Sequence, residues 1–386
     1  MSTAPLLFVV ESGTDVRLVE GLAESFDLTV LARRIRGGVE VSQVPEGTIR
    51  IITGPSSRFR FALTVAGHLA ARTRAYDRVV VQGYGLAALA ANLIGRLARI
   101  PVTMLVCSPV ESYYRCRRDA RDPRHPYRPL ALAGLVWLAR ANARLGRSYV
   151  VLSRYLEQVV RGHGTRAAVH VVPVYGVDTD LFRPSREPRH VLRAKLGLPH
   201  EAALAFFSSR IAPEKDGATV LEALRLLRKG GRDVRLLHRS GGYREFVTLA
   251  EDHGVADAVI ATDAAHPVRE LPLSYQASDL CIQASRDEGL GFSPLEALAC
   301  EVPVVATAVG GLRETIVDGV TGWTYPLGDA GALAAAMAAL LDDPDEALRR
   351  ARAGRAMVME RYERRAVFGA LREALTIAAP EDAAPA

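Results

Sequence analysis

DLCIQASRDEGLGFSPLE, residues 279–296, changes character twice in 18 residues. It opens on an apolar run of strand length, passes through a polar loop with two glycines, and ends on an apolar stretch that Ser293-Pro294 marks as the start of a helix. A strand with no polar face is one covered by helices on both sides, as in a parallel sheet. The same pattern recurs around it, in ALAFFSSR (203–210), a helical segment near Ala218 to Arg228, VRLLHR (234–239) and VPVVAT (302–307). An equivalent series fills the beginning of the chain: LLFVV (6–10), a helical segment from Val16 to Ser25, LTVLA (28–32), VVVQ (79–82), an alanine-rich helix from Leu86 to Arg99 and VTMLV (102–106). Between the two lies VVPVYGVDTDLFRPSREPRH (171–190), proline-rich and charged, which reads as a linker. At 386 residues the chain is too long for one core. The expected fold class is therefore α/β, with two Rossmann-like domains, residues 1–182 and 183–364, facing a cleft that receives ligands at the strand C-terminal ends. The last helical stretch, from about Glu346 to Ile377, is expected to break near Tyr362 and return residues 365–386 to the first domain. The tail after Ala378 reads as frayed.

Composition narrows the chemistry. With 49% hydrophobic and 24% charged residues the chain has the make-up of a folded globular protein. Residues 1–182 hold 24 arginines against 14 acidic residues, a balance of +10, and residues 183–386 hold 25 basic against 29 acidic residues, a balance of −4. The basic half fits an anionic partner such as a membrane surface or a phospholipid-like acceptor; an arginine-favouring codon usage accounts for it equally well. Nucleic acid is not expected, because no helix-turn-helix, zinc or aromatic RNA motif accompanies the charge. Cys107, Cys116, Cys281 and Cys300 show neither zinc nor disulfide spacing and read as reduced, buried hydrophobes. No apolar run approaches bilayer length and the N-terminus lacks a leader pattern, so the expectation is a cytoplasmic protein with peripheral contact at the inner face of the membrane. No G-x-G-x-x-G follows the first strand and no G-x-x-x-x-G-K-[ST] occurs, which sets aside dinucleotide and P-loop chemistry.

The opening stretch carries two carboxylates, Glu288 and Glu296. Read as Ser293 N-cap, Pro294 in the first turn and Glu296 three residues on, it is a capping box, and Glu296 then needs no other role. That leaves Glu288, Gly289 and Gly291 unexplained. Glycines let a backbone approach a ligand, a helix start offers free N–H groups to phosphate, and a carboxylate at each end can accept from sugar hydroxyls. Together these describe a sugar nucleotide. FFSSRIAPEKDG (206–217) adds Arg210 and Lys215, cations suited to the charge that develops on a diphosphate leaving group. The chain has three lysines, Lys195, Lys215 and Lys229, so a lysine here is informative, although a solvated lysine near a helix start is the plain alternative. YYRCRRDARDPRHPYRPLALAGLVWLARANARLGR (113–147) is either an acceptor or membrane segment, or a solvated arginine face beside a core helix with Trp137 buried. The second reading is favoured, because the apolar run contains few charges.

EGLGFSPLEALACEVPVVATAVGGLRETIVDGVTGW (288–323) resembles the signature of the family 4 glycosyltransferases, retaining enzymes of the GT-B fold. SRIAPEKDG (209–217) resembles their diphosphate motif and VYGVDTDLFRP (174–184) their interdomain crossover, with the similarity extending over about 170–364. The resemblance implies a retaining, metal-independent hexosyltransferase with no cofactor. Its first domain would bind the acceptor, and its second a nucleoside-diphosphate sugar. Glu288 would hold the transferred sugar, Arg210 and Lys215 the diphosphate and Glu296 the ribose, with Gly289, Leu290, Gly291, Phe292 and Ser293 lying over phosphate and sugar. The chain departs from the family at three places: only Gly13 stands where a Gly-Gly pair is common, Tyr175 replaces an asparagine, and CSPVE (107–111) lacks a histidine. Ser108 and Glu111, with Gly13, are the expected acceptor wall. The acceptor would be a hydroxyl on a glycan, a glycolipid or a small molecule. The alternatives are an epimerase-like GT-B enzyme and a non-catalytic sugar-nucleotide-binding paralogue.

Overall fold

A computed structural model describes residues 4–35, 49–118, 126–240, 242–262 and 267–377. The tail after Ala378, and residues 119–125 of the arginine-rich segment, lie outside them. Contacts divide the chain into two compact units, one of Met1–Glu111, Pro126–Tyr175 and the segment from Arg365 on, the other of Ser112–His125 and Gly176–Arg364. The boundary thus falls at Tyr175/Gly176, earlier than residue 182, because Val177 is already bonded into the second unit: its N–H donates to the Tyr362 carbonyl (2.7 Å) and its carbonyl accepts from the Arg364 N–H (2.9 Å).

In the first unit the described residues form a seven-stranded sheet of β1 (Pro5–Val10), β2 (Asp27–Arg33), β3 (Arg50–Gly54), β4 (Arg78–Gln82), β5 (Val102–Val106), β6 (Ser148–Val151) and β7 (Ala168–Val171), in the order β3-β2-β1-β4-β5-β6-β7. Every pairing in it is parallel. Leu6, Leu7, Phe8 and Val9 on β1 are completely buried, as the apolar run requires of a central strand. The helix Arg364–Thr376 completes this unit, burying Val367, Leu371 and Leu375, with Arg78 Nη2 donating to the Thr376 carbonyl at 2.8 Å. It is separated from the helix Pro344–Arg361 by a break at Tyr362, where one was expected.

The helix Pro129–Leu145 departs from expectation. It buries Leu132, Ala139, Asn142 and Ala143, while Trp137 is 61% and Leu130 88% exposed. Trp137 lies on the solvent side of the helix, so the reading of Trp137 as core is corrected. The cysteines divide likewise, Cys281 and Cys300 buried and Cys107 and Cys116 half-buried.

In the second unit the described residues form a six-stranded sheet of β8 (Ala203–Phe207), β9 (Val234–Arg239), β10 (Val259–Thr262), β11 (Leu280–Gln283), β12 (Val304–Thr307) and β13 (Trp323–Tyr325), again parallel, in the order β10-β9-β8-β11-β12-β13. The chain winds outward from β8 in one direction and from β11 in the other. The loops after these two neighbours therefore diverge, leaving the crevice where open α/β sheets bind ligands.

Candidate active site

The loop after β8 carries Arg210 and the one-turn 3-10 helix Pro213–Lys215; the loop after β11 carries Glu288. Strand order thus explains how residues more than seventy positions apart meet: the Lys215 ammonium donates to Glu288 Oε2, and both side chains are nearly buried, at 14% and 13% exposure. Ser285 Oγ (2.9 Å) and Gln283 Nε2 (3.3 Å) donate to the same carboxylate oxygen. The phenol of Tyr113 donates to Oε1 at 3.4 Å. Burial first, and then the Glu288 charge, push the Tyr113 phenol far above its ordinary range, so it stays protonated and remains a donor. Arg210 sits exposed on the same loop as Lys215, and its charge reaches Glu214.

Glu214 is fully buried and held by a two-pronged fork, Arg117 Nε to Oε2 at 2.8 Å and Arg117 Nη2 to Oε1. Burial works to raise the Glu214 carboxyl, but the Arg117 fork and the Arg210 charge more than offset it and keep it below the usual carboxylate range. Tyr113 and Arg117 stand four residues apart, with the guanidinium 5.3 Å from the ring centre. Arginines on this segment were legible in the sequence; their partners, across 97 positions in the case of Arg117, were not.

The capping box does not form. The helix begins at Phe292 with Gly291 as N-cap in the left-handed region (φ 90°), so Ser293 lies inside the first turn and Glu296 lies beyond the position a capping box requires. Glu296 is 3% exposed and accepts from the Tyr275 phenol at 3.1 Å. Tyr275 is itself completely buried, 3.2 Å from Ser208 Oγ and edge-on to Phe182 and Phe206. Burial and the Glu296 charge push its phenol well above the ordinary range, so a proton is always present for that bond. Leu290 is buried, and Gly289 and Gly291 beside it are buried with it, while Phe292 and Ser293 are half-buried.

What fixes the Glu288 loop is a pair that sequence reasoning quoted without singling out. The Gly311 N–H donates to the Glu288 carbonyl at 2.9 Å. A Cβ on Gly310 would stand 2.3 Å from that same carbonyl oxygen, and one on Gly311 would stand 2.3 Å from the Gly289 oxygen. The two loops touch backbone to backbone, which only glycine permits.

The expected acceptor-wall residues lie in the first unit. Gly13 is exposed on the loop after β1, and Ser108 is half-buried on the loop after β5. Glu111 pairs with His163 Nε2 at 2.9 Å, and the His163 ring lies edge-on to Tyr84 at 5.3 Å. The buried Tyr84 hydroxyl has no hydrogen-bond partner among the described residues. Tyr175, the residue replacing asparagine, stacks under the Arg17 guanidinium at 4.4 Å.

A profile of the family described as Glycosyl transferases group 1 matches residues 188–357. The chain is 30% identical over 369 residues to the GDP-mannose-dependent alpha-(1-6)-phosphatidylinositol monomannoside mannosyltransferase of Mycolicibacterium smegmatis, covering 92% of this chain and 91% of that one. It is 37% identical over 211 residues to the D-inositol 3-phosphate glycosyltransferase of Xylanimonas cellulosilytica, a match spanning 52% of this chain and 49% of that relative. Among solved structures it resembles the sucrose-phosphate synthase of Thermosynechococcus elongatus, with TM-score 0.78, 20% identity and coverage of 96% and 98% of the two chains. It also resembles HepE of Anabaena in complex with UDP and glucose, with TM-score 0.75, 19% identity and coverage of 97% and 99%. The fold is GT-B, and the chain belongs to the group 1 glycosyl transferases, the family 4 glycosyltransferases.

Proposed function

We propose that the protein transfers a hexose from a nucleoside-diphosphate sugar to a hydroxyl acceptor with retention at the anomeric carbon. The observation that carries this reading is the meeting of Lys215 and Glu288 at the β8–β11 divergence, with Arg210 on the lysine's loop. As the glycosidic C–O bond lengthens, the electron pair passes to the diphosphate, and Arg210 and Lys215 stabilise the charge that develops there. The acceptor oxygen bonds to the anomeric carbon on the same face and gives its proton to the departing phosphate oxygen, while Glu288 holds hydroxyls of the transferred sugar and the Gly289–Phe292 backbone faces phosphate. Glu296 takes the ribose diol. In this reading the two cations meet the diphosphate charge without a metal, so activity is expected to persist in EDTA. Gly13, Ser108 and Glu111 line the acceptor side. The mycolicibacterial relative, matched over nearly the whole chain, is GDP-mannose-dependent, which makes GDP-mannose the first donor to test.

A thermal-shift panel of GDP-mannose, UDP-glucose and the free diphosphates tests the donor site, since a ligand that binds only the native state at one hundred times its Kd adds about 2.7 kcal/mol. At least one donor is expected to raise the midpoint; a panel in which none does removes the reading. Glu296→Gln separates ribose holder from structural residue. The amide keeps one acceptor for Tyr275 but loses charge-assisted acceptance, so donor affinity measured by calorimetry is expected to fall by about 1–2 kcal/mol with little change in stability. Glu288→Gln acts differently, because the free diphosphate lacks the sugar that Glu288 holds. Turnover is expected to fall by roughly tenfold or more, while affinity for the free diphosphate holds or rises as Lys215 loses its carboxylate partner. Equal loss in both measurements would place Glu288 on the nucleotide instead.

A further inference from the structure

The five most exposed large apolar side chains among the described residues are Leu130 (88%), Leu97 (82%), Phe59 (64%), Trp137 (61%) and Leu63 (58%), and Leu93, at 45%, lies one turn from Leu97. All six lie on three helices, Arg58–Ala71, Leu86–Ala98 and Pro129–Leu145. Their spacing is helical: Phe59 with Leu63 and Leu93 with Leu97 at i, i+4, and Leu130 with Trp137 at i, i+7, so each helix carries one outward stripe. The chain steps in one direction through β3, β4, β5 and β6, so right-handed crossovers place all three helices on one face of the first sheet. The middle helix packs against both others, and Arg96 ties it to the third by donating to the Leu145 carbonyl at 2.9 Å.

Charge on this layer has one sign. None of the three helices contains an aspartate or glutamate, and between residues 47 and 110 the single acidic residue is Asp77. Arg60, Arg72, Arg99, Arg140 and Arg144 are exposed on the same helices or at their ends. A shallow concavity beside Trp137 is lined by Pro129, Leu132, Val136 and Arg140.

We propose that this helical layer docks on a lipid bilayer carrying anionic headgroups. Leucine, phenylalanine and tryptophan side chains enter the boundary between headgroups and acyl chains, and arginines around them meet the lipid phosphates. A second copy of the chain fits less well: a two-fold interface would set this carboxylate-free, arginine-bearing face against itself. The inference rests on the surface alone and stands whatever sugar nucleotide the second unit binds.

The test uses the full chain with large unilamellar vesicles, either pure phosphatidylcholine or an equal mixture with phosphatidylglycerol. Sedimentation is expected to show partition into the anionic vesicles and little into the neutral ones. Trp137 emission should move to the blue on the anionic vesicles alone, and the shift reports Trp137 because Trp323, the other tryptophan, is 8% exposed. The double variant Leu97→Glu/Leu130→Glu places charge where both side chains already face solvent, so its thermal midpoint should match the parent while partition falls about tenfold or more. Absence of partition into anionic vesicles, equal partition into both kinds, or a double variant that partitions like the parent each overturns the proposal. So does a concentration-dependent dimer that the double variant abolishes without any vesicle binding, which would make the face a contact between copies.

Discussion

Lys215→Ala is expected to lower kcat by about two to three orders of magnitude, the scale of about 2.7–4 kcal/mol seen when a group stabilising developing charge is removed. The argument is positional. Lys215 lies on the loop after β8, nearly buried beside Glu288, with Ser285 Oγ at 3.4 Å, so its ammonium is held where the β8 and β11 loops diverge. Arg210→Ala should follow in the same direction with a smaller loss, because Arg210 is exposed and its charge is partly screened. Steady-state kinetics with the donor that shifts the thermal midpoint measures both, and the split between kcat and KM matters. A change confined to KM would mean uniform binding, not stabilisation of the leaving group, and full activity in Lys215→Ala would remove it from the chemistry.

Gly311→Ala is expected to cost both stability and activity. Its Cβ would stand 2.3 Å from the Gly289 oxygen and 2.8 Å from the Leu290 Cα, so backbone and not a flexible side chain must give way. Forced repacking of this kind costs about 1–3 kcal/mol, and the loop that moves is the one carrying Glu288. Gly319→Ala is the control: Gly319 has φ 74° and nothing within 4 Å of a Cβ, so it bears backbone strain without a clash. Thermal unfolding should show both variants destabilised, and the transfer assay should show Gly311→Ala alone inactive. Equal activity of the two would mean the Gly310–Gly311 contact does not position the Glu288 loop.

The central strands were legible because burial on both faces leaves an uninterrupted apolar run, as in β1 and β8. The edge strands β7 and β10 were not, since AVHV and VIAT are half-exposed and carry no such run. The helix after β11 starts two residues early because Gly291 adopts the left-handed conformation and takes the N-cap that Ser293-Pro294 advertised. Trp137 was misplaced because an apolar helix without carboxylates looks the same in sequence whether protein or something else covers it. Lys215 and Glu288, which the fold brings together, could be singled out from residue type and spacing. Tyr113, Arg117 and Tyr275, which hold Glu288, Glu214 and Glu296, could not, because only the fold says which loops meet.

The Lys215–Glu288 pair means that the site carries its own counterion. Closing on itself, the ammonium is neutralised before any solute arrives, and an incoming anion must compete with a tethered carboxylate at high effective concentration. The proposed donor, a diphosphate bearing an attached sugar, would do both halves of the exchange, taking the lysine with its phosphates and occupying the released carboxylate with its hydroxyls. If the proposed donor site is right, the pair thus sets a threshold on ligand valence.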